Sequence, residues 1–91
     1  MNQSTNEETL FEFPCRFSVK AMGLAEEDFD ALVAGIVRQH VPDLGEGAVT
    51  SRPSKGGKYL SVTVTFEATS KAQLDAIYQA LTDHERVLMS L

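Results

Sequence analysis

Few side chains in this sequence have the types and spacing to do chemistry: the single thiol Cys15, the imidazoles His40 and His84, and the acidic run Glu26-Glu27-Asp28-Asp30. To these the segment Arg52-Pro53-Ser54-Lys55-Gly56-Gly57-Lys58 adds three cations within seven residues and no acid between them. A thiol or imidazole becomes a catalyst only with an activating base or a nucleophile within reach, and none of these has one beside it in sequence. Both histidines fall at expected helix ends, where a favourable interaction with the helix dipole accounts for them. Cys15 falls on the inward side of an expected strand, as a small buried apolar residue. The acidic run lacks the spacing of a calcium loop and reads as charge complementing a helix start. The basic segment could hold a carboxylate, a phosphate or an acidic partner, using backbone amides around its glycines. It is not a nucleotide-binding loop, because its glycines join two strands instead of opening a helix.

The elements that would position these groups are legible from periodicity. Cys15, Phe17, Val19 and Ala21 alternate with Arg16, Ser18, Lys20 and Met22, which predicts a half-buried strand ended by Gly23. Phe29, Leu32, Val33, Ile36 and Val37 form one apolar stripe at helical spacing, predicting a helix from about Ala25 to His40, stopped by Pro42. Residues 48–53 predict a weaker strand, and Lys55-Gly56-Gly57-Lys58 a hairpin whose paired glycines supply positive φ. Leu60, Val62, Val64, Phe66 and Ala68 alternate with Ser61, Thr63, Thr65 and Glu67 in the clearest strand of the chain. Ser70 and Gln73 have the spacing of a reciprocal capping box, opening a second helix with Leu74, Ile77, Tyr78 and Leu81 inward. A last strand is expected over about 86–91.

The order is strand-helix-strand-strand-helix-strand, a ferredoxin-like α+β fold: four antiparallel strands with two helices on one face. Strands one and three are then central. Pro53 fits an edge position in strand two, where a missing N–H is tolerated. Residues 1–9 read as a disordered acidic tail and 10–91 as the single domain. Ninety-one residues support one core and no deep pocket, so function belongs on the surface or at a subunit contact.

The face of the sheet away from the helices presents Arg16, Ser18, Lys20, Ser61, Thr63, Thr65 and Glu67. It lacks the stacking aromatics of an RNA-recognition domain, and a net charge of −5 lacks the basic field of a nucleic-acid binder. The loop after strand one carries neither the paired cysteines of a metal chaperone nor the arginine cradle of an acylphosphatase. No stretch approaches the ~20 apolar residues of a membrane span, and the polar N-terminus is unlike a signal peptide. One cysteine makes no internal disulfide, so a cytoplasmic setting is expected.

Leu10-Phe11-Glu12-Phe13-Pro14, Val19-Lys20-Ala21-Met22-Gly23, Pro53-Ser54-Lys55-Gly56-Gly57-Lys58-Tyr59 and Val87-Leu88-Met89-Ser90-Leu91 resemble the YbeD-like family of small bacterial proteins. The resemblance implies a fold similar to regulatory ACT domains and a bacterial cytoplasmic setting. It also implies a connection with lipoate metabolism, since members are often encoded near lipoate-attaching enzymes. It brings no catalytic residue. The loop Ala21-Met22-Gly23-Leu24-Ala25 departs from the acidic, Pro-Gly pattern of ACT ligand loops, though Gly23 leaves room for a ligand to approach the backbone.

The expectation is a non-enzymatic regulatory or adaptor module, without cofactor or metal, contacting a partner protein or a second copy of itself. Its candidate surfaces are Arg52, Lys55, Gly56, Gly57 and Lys58 at the hairpin and Arg16, Ser18, Lys20, Ser61, Thr63 and Thr65 on the sheet. The alternative is an ACT-like sensor of a small anionic metabolite, bound near Gly23 or the hairpin.

Overall fold

The computed structural model describes residues 12–91. The expected tail over 1–9, and Leu10 and Phe11 after it, lie outside the described residues. Strand β1 (Cys15–Leu24) leads to helix α1 (Phe29–Arg38), and a single 3-10 turn at Glu46–Ala48 precedes strand β2 (Val49–Pro53). Strand β3 (Tyr59–Ala68), helix α2 (Lys71–Asp83) and strand β4 (Met89–Ser90) complete the order. The sheet runs β2-β3-β1-β4 with every pairing antiparallel, so β1 and β3 are central as the topology required.

Alternation sets the two faces of the sheet. Val19 and Ala21 of β1 and Val62 and Val64 of β3 are wholly buried, and they meet Phe29, Val33 and Val37 of α1 and Ile77 and Leu81 of α2. Cys15 packs against the margin of this core on the inward side of the strand, but it is half-buried there, not the buried residue the strand pattern suggested. The register pairs Val19 with Val64 and Lys20 with Thr63, so polar residues of adjacent strands share the opposite face.

Three boundaries differ from the sequence expectation. β1 continues through Gly23 to Leu24, because Gly23 pairs with Leu60. A side chain at Gly23 would place its Cβ 2.5 Å from both the Arg86 carbonyl oxygen and Phe29 Cζ, so only glycine fits where α1 crosses the strand. α1 begins at Phe29, not Ala25, because residues 25–28 form a turn in which the Glu26 N–H donates back to the Leu24 carbonyl. β4 is only Met89–Ser90, because Val87 N–H closes a turn onto the His84 carbonyl.

Candidate functional site

The open face of the sheet gathers residues from all four strands. Across it the register aligns Thr50, Thr63 and Lys20 in one row, and Arg52, Ser61, Met22 and Met89 in the next. Leu91 extends the first row, exchanging two backbone hydrogen bonds with Lys20 at 2.8 and 2.9 Å. Lys20, Thr50, Arg52, Ser61 and Thr63 line a groove of about 350 Å³. Two groups of residues separate in the sequence therefore meet: Arg52 of the basic segment stands over the same groove as Lys20, Ser61 and Thr63.

The remaining sheet-face residues behave differently. Ser18 and Thr65 share a 2.8 Å hydroxyl–hydroxyl hydrogen bond, which occupies both side chains with each other. Arg16 stands opposite Glu67 in the register, so that end of the face carries charges of both signs. Among the described residues, Ser61 and Thr63 donate their hydroxyls to no protein group, and Lys20 and Arg52 have no acid within ion-pair distance. The groove end of the face is the part with unspent hydrogen-bonding and charge capacity.

The hairpin tip is built more as a turn than as a cradle. The Gly57 N–H donates to the Ser54 carbonyl at 2.9 Å, and the Tyr59 N–H donates to Ser54 Oγ at 3.0 Å. Only Gly57 has positive φ, at 79°, so one glycine and not the pair meets the left-handed requirement. Two amides near the glycines are thus already bonded within the turn. Lys55, Gly56 and Gly57 are exposed, and Lys58 lies with Nζ 5.5 Å from the centre of the Tyr59 ring.

Gly23 does not offer the ligand approach that its lack of a side chain suggested. The space above it is filled by the Phe29 ring and the Arg86 carbonyl.

Arg86 is the residue that sequence reasoning missed. Its guanidinium reaches Glu26 at 2.6 Å and Asp28 at 2.8 Å and lies 6.0 Å from the centre of the Phe29 ring. The hydrogen bonds from Arg86 hold the Asp28 carboxyl below its ordinary value. The acids before α1 therefore serve a tie to the β4 end of the chain, and Asp28 makes no side-chain cap on the helix. Of the expected dipole partners only Asp30 lies in the first turn. The available signal was a run of three acids just before one helix and a lone arginine just after the other, which this topology brings together.

The histidines are placed at helix ends as expected. His40 follows α1, its carbonyl accepting from Gln73 Nε2 at 2.9 Å, and His84 ends α2, its Nδ1 accepting from the Arg86 N–H at 3.2 Å. A broader depression of about 640 Å³ lies at the far end of the molecule between His40, Pro42, Glu67 and Gln73, and Gln73 is already committed there to hydrogen bonds. Among the described residues no three His, Cys, Asp or Glu side chains are grouped to hold a metal ion, and no helix is long and apolar enough to cross a membrane.

Comparison with known proteins gives this geometry its family. The family model described as a protein of unknown function, DUF493, matches residues 8–91. The chain belongs to this family. A UPF0250 protein of Chromobacterium violaceum is 48% identical over 88 residues, covering 97% of this chain and 99% of the relative. A second, from Nitrosomonas europaea, is 46% identical over 85 residues, covering 93% and 98%. The YbeD-like resemblance read from the sequence is therefore correct. Among solved structures, the solution structure of Protein HP0495 from H. pylori superposes with a TM-score of 0.74 over 100% of this chain and 96% of that one. At 15% identity it speaks for the ferredoxin-like fold alone.

Proposed function

We propose that this DUF493 protein is a non-enzymatic bacterial contact module that regulates or adapts a partner protein through the open face of its sheet. One observation carries the reading: the cations of an acidic protein are gathered, unpaired, around one end of that face. Lys20, Arg52, Lys55 and Lys58 are half of the eight lysines and arginines in a chain of net charge −5. None has an acidic partner within 4 Å among the described residues, whereas Arg86 and Lys71 do. Acids stand before α1 at Glu26, Glu27 and Asp28 and on the helices at Asp30, Asp75 and Asp83, while Glu67 shares the far end of the open face with Arg16. Such segregation steers an acidic surface onto one face and repels it from the other. The lipoate connection implied by the family resemblance makes lipoate-attaching enzymes the first partners to assay.

The test is affinity capture from the native bacterium with the wild-type chain and with Lys20→Glu/Arg52→Glu. The reading expects a reproducible partner that the double variant loses and that a helix-side control, Lys71→Glu, keeps. Equal capture by all three chains overturns it. The sensor reading draws support from the same groove, which presents two cations and free hydroxyls to a small anion. A thermal shift with free metabolites separates the two, because a ligand that binds only the folded state raises the melting temperature by mass action.

A further inference from the structure

We infer that the groove between Lys20 and Arg52 seats the carboxylate of an acidic side chain on a partner protein, whose neighbouring apolar side chains rest on Leu24, Met89 and Leu91. The inference deepens the contact reading and rests on it. Lys20 on β1 and Arg52 on β2 are separated by β3, so their backbones stand two interstrand steps of ~4.8 Å apart, offset by one row. Between them lie the Ser61 and Thr63 hydroxyls, which donate to no protein group among the described residues. An oxygen acid placed there receives a planar guanidinium fork from one side, an ammonium from the other and hydroxyl donors from beneath.

The lining of the site favours an anion attached to something larger. Small-molecule sites are lined mostly by apolar side chains, whereas Lys20, Thr50, Ser51, Arg52, Ser61 and Thr63 give this groove a wholly polar lining. The strip beside it supplies what a larger occupant needs. Leu24, Met89 and Leu91 are 45%, 53% and 69% exposed, and the register puts all three on the open face beside the groove. Arg52 and the hydroxyls on β2 and β3, with Lys20 on β1, thus adjoin the apolar side chains of Leu24 at the end of β1 and of Met89 and Leu91 at the β4 edge. The complement is a protein segment carrying carboxylates along one side and apolar groups along the other. Glu26 and Asp28 are held by Arg86 in ion pairs away from the groove lining.

The test uses the full isotope-labelled chain and three separate probes: a peptide alternating glutamate and leucine, a hexaglutamate peptide, and inorganic phosphate. Both peptides are expected to shift the amides of Lys20, Ser61 and Thr63 saturably, the alternating one more tightly. Lys20→Met/Arg52→Met should weaken both by about tenfold, roughly 1.4 kcal/mol, with an otherwise unchanged spectrum. Lys71→Gln, on the helix side, should leave both within about twofold, and Leu91→Ser should weaken only the alternating peptide. Absence of saturable shifts from both peptides, or shifts unaltered in Lys20→Met/Arg52→Met, overturns the inference. So does phosphate saturating the groove as tightly as either peptide, since the natural occupant would then be a free anion. A partner captured through the open face while neither peptide binds overturns the carboxylate assignment and leaves the contact reading standing. Peptide binding confined to the groove, in a protein whose captured partner ignores the same substitutions, overturns the contact reading.

Discussion

Arg86 joins two parts of the chain 58 residues apart through Asp28, and its effect is readable as a pH dependence. The hydrogen bonds that Arg86 donates lower the Asp28 carboxyl from its usual 3.8, favouring the ionised form in the folded protein. A depressed acid contributes stability above its unfolded value, and that contribution is lost as pH falls through the folded value. Both Asp28 and Glu26 are more than half exposed, so the ion pairs themselves are modest. Arg86 also covers the Phe29 ring, an interaction that acid does not remove. Arg86→Gln should therefore raise the Asp28 midpoint toward the ordinary carboxylate range, followed by its carboxyl carbon resonance. The stability gap between wild type and variant, measured by urea unfolding, should be wider at pH 7 than at pH 2 and should not vanish at pH 2. An Asp28 midpoint that is the same in both proteins removes the assigned cause.

At the scale of the elements, the second helix depends on a cap that the sequence announced and the structure modified. Ser70 Oγ accepts the Gln73 N–H at 3.0 Å, as a capping residue should. The Gln73 side chain does not return to the Ser70 amide. Its Oε1 accepts from the Thr69 N–H, and its Nε2 donates to the His40 carbonyl, tying the end of α1 to the start of α2. Ser70→Ala should cost about 1 kcal/mol and Ser70→Gly only a few tenths, by denaturant melts. A Ser70→Ala protein as stable as wild type would mean that the hydroxyl is not the cap. The pattern of what could be read follows from range. β1 and β3 were plain because alternation is local, each inward valine being two residues from the next. The early start expected for α1 arose because Glu26, Glu27 and Asp28 suit a first helical turn. They are drawn instead into a turn whose acids answer an arginine at the far end of the chain. β4 shrank to two residues because the Val87 N–H is used in a turn, a competition that no window around residues 86–91 reveals. The groove was half legible: Lys20, Ser61 and Thr63 share a face by parity, but Arg52 joins them only through the β2–β3 register.

Across the whole molecule, the proposed contact reading gives the unpaired cations a part in recognition and none in the fold. Lys20, Arg52, Lys55 and Lys58 make no ion pair among the described residues, and the buried core contains no polar or charged residue. Surface substitutions away from packing and networks usually change stability by no more than about 0.5 kcal/mol each. Replacing all four with glutamine takes the formal net charge from −5 to −9, one unit for each cation removed. The added self-repulsion acts between exposed charges, so ~0.15 M salt screens most of it over a Debye length of ~8 Å. The quadruple variant should therefore melt cooperatively within a few degrees of wild type at that salt, with a larger deficit at low salt that closes as salt is added. Its partner capture should be abolished at every salt concentration. A large loss of stability that salt does not recover would show that the cations serve the fold, for instance by packing their alkyl stems over the sheet. Their gathering on one face would then need no partner to explain it.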